Sequence, residues 1–561
     1  MKIKSFWTLV LLVIVITGCG KFNLNQITYK VVPSPLEYKG DSIEVTITAE
    51  YPKKTMPKKA TAEVTPVLKY KGGEKSFKTI KLKGEKSSGE GQTVNHSGGS
   101  IKYNAKIPYV DGMQDAELHA KAVGMMKEKE KFSGMTTSPI ALGTIITPLL
   151  TMKDEQFVLG AHNFGPIFKT QIANIYFPYN SASIRPGEKA SDEMNKMKEF
   201  VDAQLKDGAT FQSLEINGWA SPDGEETKNS ELSTKRSDEV KKWMSSYFEK
   251  DKKIKGLSLS SKGNGEDTRG FQTLTGSNNF EGKSELISKI NSGAKNSDLK
   301  KDMAKDSYNY FEKEILSPLR KTEIKLVVQQ RQKTNEELTN LSKSNPSSLT
   351  IEELLYTAQT LISDDATKMQ IYNSTAQLFP TDWRAYNNMG LIYASQGKIN
   401  DALTEFQKAE KVSSTEKAVK NNIGAIYMMK GDKSNAMNYY KQGSGSSENG
   451  HNLGNLYILQ GKYSEAVSSF GNECSFNAAL AKVLAGSAEK ASSTIDCSKQ
   501  KEMALSYYLK AVAAARTNSK QAIIDNLKTA IQKDGSLKGK AKADLEFLKY
   551  REDGEFKSVT Q

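Results

Sequence analysis

The sequence predicts a multidomain protein: an N-terminal all-β sandwich, a central α+β domain and a C-terminal α-solenoid of helical repeats. Three observations carry this. Residues 25–135 alternate apolar and polar side chains with period two, residues 170–332 interleave strand-like and helix-like runs, and residues 350–550 repeat a spaced set of glycines, alanines and aromatics. A chain of 561 residues is also longer than one hydrophobic core organises.

The N-terminus begins with Lys2 and Lys4, continues in an apolar run from Phe6 to Ile16 and ends Ile16-Thr17-Gly18-Cys19. The run is short for a membrane-spanning helix and suits a signal-peptide core. Its last four residues resemble a bacterial lipobox, which implies a signal peptide over 1–18, lipidation of Cys19 and a tether over 19–24. Gly20, Lys21 and Phe22 bring no acidic cluster after that cysteine. The expectation is a lipoprotein anchored to the outer membrane on its periplasmic face.

In the sandwich, Ile43, Val45, Ile47 and Ala49 point one way while Glu44, Thr46 and Thr48 point the other. Further alternating runs cover Phe77 to Leu82, Ile101 to Ile107 and Leu118 to Val123, with turn signals at Gly72-Gly73 and Gly98-Gly99. Short strands at this spacing predict an antiparallel, immunoglobulin-like (Ig-like) sandwich. Residues 136–169, rich in Gly, Pro, Thr and short apolar stretches, read as a connector that packs partly on its neighbours.

The α+β domain opens with a strand and loop over Ile175–Pro186, followed by an amphipathic helix from Lys189 to Leu205. A strand from Ser213 to Gly218 then delivers Trp219 into a Gly/Pro-rich turn. After the turn, Asn229, Ser233, Arg236 and Val240 share one face of a helix. The set Gly218, Trp219, Gly224, Asn229, Leu232, Ser233, Arg236 and Val240 resembles the signature of the OmpA C-terminal-like, peptidoglycan-associating family. That resemblance implies an α+β fold and a grip on the diaminopimelate of the peptidoglycan stem, carboxylate on ammonium and guanidinium on carboxylate, because charge-assisted pairs are strong and Arg suits a planar carboxylate. The chain departs from the pattern at Ser221, where the family has Asp. Asp223 lies two residues on, in a turn whose Pro222 and Gly224 need not point it the same way, and either it replaces the lost carboxylate or Asn229 and Arg236 form a solvated helix face; the candidates for peptidoglycan binding are Ser221, Asp223, Asn229, Ser233 and Arg236. A helical insertion over about 265–320 precedes the last strand, Glu323–Val328. Such enlarged versions resemble those of Bacteroidetes envelope lipoproteins.

Residues 333–349 read as a linker and 551–561 as a tail. Between them Gly390, Gly424 and Gly454 are followed at fixed offsets by Tyr393, Tyr427 and Tyr457, by Gly397, Gly431 and Gly461, by Ala402, Ala436 and Ala466, and by Phe406, Tyr440 and Phe470. This is the tetratricopeptide (TPR) pattern. Small residues sit where helix A meets helix B, and aromatics fill the space between hairpins. Asn387, Asn388, Asn421, Asn422 and Asn452 precede the repeat glycines on helix A. Paired amides there would clamp an extended peptide backbone, or stand as solvated polar positions.

The formal net charge of +14 falls to about +12 without Lys2 and Lys4, and lysine is spread along the chain rather than gathered with aromatics. This points to anionic surfaces in general and away from nucleic acid. Cys474 and Cys497 form a disulfide in an oxidising compartment or remain two buried thiols. His96, His119, His162 and His451 have no metal-ligand spacing, and no nucleophile elbow, HExxH, P-loop or dinucleotide fingerprint occurs. The expectation is therefore a non-catalytic scaffold without cofactor or metal. Its partners would be the outer membrane through lipid, envelope proteins through the repeats and, in one of two open readings, peptidoglycan. The other reading is a pure interaction subunit of a secretion or outer-membrane assembly machine.

Overall fold

The computed structural model describes residues 24–126, 129–293, 298, 301 and 304–561. The signal peptide and Cys19 lie outside the described residues. The chain forms two compact units, one from the part up to Ala161 together with Tyr372–Gln561, the other from His162–Ile371. Sandwich and solenoid thus belong to one unit although some two hundred residues separate them in sequence.

The sandwich consists of two sheets. One holds β1 (Thr28–Val32), β2 (Leu36–Lys39), β3 (Ser42–Tyr51) and β8 (Gly99–Pro108). The other holds β4 (Ala60–Tyr70), β5 (Gly73–Ser76), β6 (Ile80–Gly84), β7 (Gln92–Val94), β9 (Glu117–Met126), β10 (Lys129–Thr136) and β11 (Ala141–Leu142). The alternation of β3 explains the packing: Ile43, Val45 and Ile47 are buried against Leu68 and Leu118 of the facing sheet. A last short strand, β12 (Thr144–Ile145), pairs parallel to β2.

The sandwich rests on the solenoid through polar contacts. Lys433 pairs with Asp41 at 2.7 Å, the Tyr463 hydroxyl donates to the Tyr38 carbonyl at 3.3 Å, and Thr147 donates to Glu546 at 2.5 Å. Glu546 also receives the half-buried Arg516 guanidinium.

The second unit is built on a four-stranded sheet of order β13 (Phe168–Tyr176), β16 (Lys321–Gln329), β14 (Thr210–Ala220) and β15 (Ser258–Glu266). Only β14 and β15 run parallel. Helices α1 (Asp192–Lys206) and α2 (Glu226–Ser246) cover one face, where Met194, Met197, Val201, Val240 and Met244 meet Ile175, Ile216, Ile324 and Leu326. The insertion, with α3 (Thr268–Ser277), α4 (Lys283–Asn291) and α5 (Lys305–Phe311), closes its own core around Phe271, Leu286, Phe311, Ile315 and Leu316.

Three stretches differ from their sequence reading. The expected linker 333–349 contains α6 (Asn335–Ser344), because Thr334 and Glu337 form a reciprocal capping box and Leu338 is buried. The expected tail 551–561 ends in a helix over Gly554–Thr560, capped by Asp553 and pinned by buried Phe556 against Phe547. Residues 350–371, expected with the solenoid, fall in the second unit.

The solenoid hairpins are α7 (Trp383–Ser395) with α8 (Ile399–Val412), α9 (Lys417–Met429) with α10 (Lys433–Gln442), α11 (Ser447–Leu459) with α12 (Tyr463–Phe470), α13 (Phe476–Leu484) with α14 (Ala491–Asp496), and α15 (Ala504–Arg516) with α16 (Lys520–Lys533). Gly397, Gly431 and Gly461 turn the first hairpins at φ of +71°, +79° and +72°, a region that favours glycine. Ala402, Ala436 and Ala466 are fully buried. Tyr393, Tyr427 and Tyr457 are half-buried, and Lys398 and Lys462 lie over the rings of Tyr393 and Tyr457. Cys474 and Cys497 are joined, with Cα atoms 5.5 Å apart.

The glycines of helix A leave no room for a side chain. A Cβ on Gly390, Gly424 or Gly454 would lie 2.7, 2.6 or 2.5 Å from the ring of Phe406, Tyr440 or Phe470. Gly424→Leu is therefore expected to overpack the second hairpin and lower stability by about 1–3 kcal/mol, passed on through its neighbours. Chemical denaturation of the full chain checks this; an unchanged midpoint contradicts the packing.

Candidate functional site: a backbone-reading groove in the solenoid

The A helices of the repeats carry asparagines two residues before the small residue that meets helix B: Asn388, Asn422 and Asn452 before glycines, Asn477 before Ala479. All are buried. A buried carboxamide offers one acceptor and two donors, the same groups that an extended peptide presents. Each of these side chains grips one residue of the segment that follows β12. Asn477 takes the N–H and C=O of Met152, Asn452 those of Gln156, Asn422 those of Val158 and Asn388 those of Gly160, all at 2.7–2.9 Å. The connector is thus a strap along the solenoid, running opposite to the order of the repeats.

A second set of amides locks the first. Asn387 and Asn421 donate at 3.0 Å to the carbonyls of Val158 and Gln156, which accept a second bond. Asn422 donates to Asn387 at 2.8 Å, Asn452 to Asn421 at 3.0 Å and Asn477 to Asn455 at 2.9 Å. The network ties adjacent repeats together and fixes which end of each amide faces the strap. An extended segment outside a sheet has no ladder of its own, so these bonds answer the requirement that buried backbone groups be paired.

Side chains add a register. Asp154 Oδ1 accepts from His451 Nε2, Asn455 and Asn477, each at 2.9 Å, and the other imidazole nitrogen meets Glu473 at 2.6 Å. Burial opposes charge on His451, but the two carboxylates outweigh it and hold its pKa up to about 9. Phe157 stacks on the Phe406 ring at 6.1 Å, and the tight backbone at Gly160 leaves a Cβ 2.9 Å from Arg384. Leu150 enters the solenoid core at the other end.

The residues singled out in the α+β domain stand elsewhere and face inward. Arg236, 1% exposed, donates to the carbonyls of Ser181 and Trp219 at 2.9 Å and of Pro178 at 3.2 Å, with its guanidinium over the Phe177 ring. Asn229 ties the Ser221 carbonyl to Glu266, and the Ser233 hydroxyl accepts from Gly265 N–H. The buried guanidinium of Arg320, at the end of the insertion, donates to Ser221 Oγ at 3.0 Å and to Asp223 at 3.3 Å, and pairs with Glu312. It also lies over Tyr179. Sequence reasoning missed Arg320, Glu312 and Asn477. The signal for Asn477 was its place two residues before a small residue, with Ala479 where earlier repeats have glycine.

Residues 384–415 match the tetratricopeptide repeat family model. No curated protein matches the sequence. Among solved structures the chain is similar to YrrB, described as a TPR protein with an unusual peptide-binding site (17% identity, 29% of this chain and 92% of that one, TM-score 0.25). It is also similar to PilF of Pseudomonas aeruginosa (17%, 39% and 99%, 0.29) and to PilW, described as a widely conserved type IV pilus biogenesis factor (13%, 41% and 100%, 0.26). The C-terminal region is a TPR solenoid, a protein-interaction fold.

Asn422→Leu leaves the N–H of Val158 buried without its acceptor and should cost about 1–3 kcal/mol. Trypsin should then cut at Lys153 faster than in the native chain; equal cleavage rates contradict the clamp. The His451 contact sets a pH dependence as well. Its pKa is raised from 6.5 to about 9, so its stabilisation is full below about pH 6.5 and is lost as pH rises through about 9. Strap cleavage should accelerate over that window, and His451→Gln should flatten the profile.

Proposed function

We propose that the protein is a non-catalytic envelope lipoprotein that scaffolds a protein complex from the periplasmic side of the outer membrane, without gripping peptidoglycan. The observation that carries the reading is the strap. A TPR groove filled by the chain's own residues joins sandwich and solenoid in one compact unit rather than holding a short foreign peptide. The lipobox-like Ile16–Cys19 supplies the anchor in this reading, and the Cys474–Cys497 bridge fits an oxidising compartment.

The α+β domain, which resembles the OmpA-like family, bears on the choice between the two readings. The guanidinium that would meet a diaminopimelate carboxylate is engaged by three backbone carbonyls. The loop that would meet the ammonium already holds an internal cation, Arg320, on Ser221 and Asp223. A ligand would have to displace a buried, carboxylate-paired arginine, and breaking such a pair costs about 3–5 kcal/mol. These bonds favour the interaction-subunit reading.

The test combines two measurements on the intact protein. Calorimetric titration with a diaminopimelate stem peptide should give no binding heat, and purification of the tagged chain in mild detergent should retain a stoichiometric envelope protein. Saturable binding of the stem peptide, with the chain recovered alone, overturns the proposal in favour of wall anchoring.

A further inference from the structure

One pole of the β-sandwich is built to present lysines. The loop between β3 and β4 reads Pro52-Lys-Lys-Thr-Met-Pro-Lys-Lys59. Met56 at its centre is 1% exposed and packs in the core with Leu24, Ile27, Tyr51 and Ala60, and Thr55 is buried with its hydroxyl bonded to the Pro52 carbonyl at 2.8 Å. With the centre pinned inward, Lys53, Lys54, Lys58 and Lys59 on either side are exposed. Lys54 is held at a φ of +66°, which side chains disfavour, by its N–H bond to the His96 carbonyl at 2.9 Å. The turn after β6 adds exposed Lys86, whose N–H donates to the Lys58 carbonyl at 2.7 Å. Among the described residues the one ion pair at these five lysines joins Lys58 to Glu85 at 3.2 Å.

The same pole is where the chain enters the sandwich, because Leu24 packs with Met56. We propose that this lysine pole docks on an anionic phospholipid surface, as a second membrane contact beside the N-terminal anchor. The orientation rests on the lipidation reading. Leu24 is five Cα steps from Cys19, a reach of at most roughly 17 Å, so the lysines stand within a few Debye lengths of the lipid plane. The chemistry is independent of that anchor: clustered ammonium groups attract anionic headgroups, and a polybasic patch reinforces an acyl chain. The loop has no aromatic side chain on which a nucleic-acid base could stack.

The test uses the unlipidated chain from Gly20 onward, which keeps every described residue. It should co-sediment at low salt with vesicles of equal parts phosphatidylcholine and phosphatidylglycerol, but not with phosphatidylcholine alone, and high salt should release it. The variant K53E/K54E/K58E/K59E should lower the partition coefficient at least about tenfold, while K411E/K441E/K528E/K538E, with the same charge change on exposed lysines of the solenoid, retains most of it. Equal loss in both variants, or binding indifferent to phosphatidylglycerol, overturns the proposal. Mass determination of the mature N-terminus reads lipidation separately, so an unmodified Cys19 removes the anchor without deciding the vesicle result.

Discussion

An extended peptide packed outside a sheet must find partners for the N–H and C=O groups it turns inward, and the solenoid meets this demand with asparagine side chains. Each amide supplies donor and acceptor to the same strap residue, as a neighbouring β-strand would. The bonds alternate along the strap at Gly160, Val158 and Gln156, so each of the first repeats advances the strap by two residues, and the step to Met152 on Asn477 takes four. The rest of the first unit follows from this match between an extended chain and a stack of helical hairpins.

Because the strap follows β12 after a single helical turn at Thr147–Leu150, it fixes the sandwich on the solenoid. The contacts of Asp41, Tyr38 and Thr147 alone are few and partly exposed, and such surface pairs contribute little individually. Joined to a buried amide network and to the Asp154–His451–Glu473 chain, they belong to one cooperative body. Linking them through the strap keeps their effective concentration high without new contact area.

The folds were legible to different depths. The repeat was plain because Gly390, Gly424 and Gly454 must be small against Phe406, Tyr440 and Phe470, and that steric demand leaves a period in the sequence. Strand alternation in β3 was equally direct, since one face is buried. The asparagine pairs were visible as a pattern, but a side-chain amide reads any backbone, so their occupant was not. Nothing in Thr151–Ala161 distinguishes a strap from a loop except its partners far along the chain. In the α+β domain, the helix stripe Asn229, Ser233 and Arg236 gave the local geometry, while its hydrogen-bond partners depended on Arg320, delivered by an insertion whose path no local pattern encodes.

The most direct measurement of the central claim is hydrogen exchange of the peptide spanning Met152 to Gly160 in the intact protein. The asparagine clamp predicts protection of the amides of Met152, Gln156, Val158 and Gly160 close to that of the solenoid core helices. Exchange of this segment at the rate of an unstructured loop, with the repeats still protected, would contradict it.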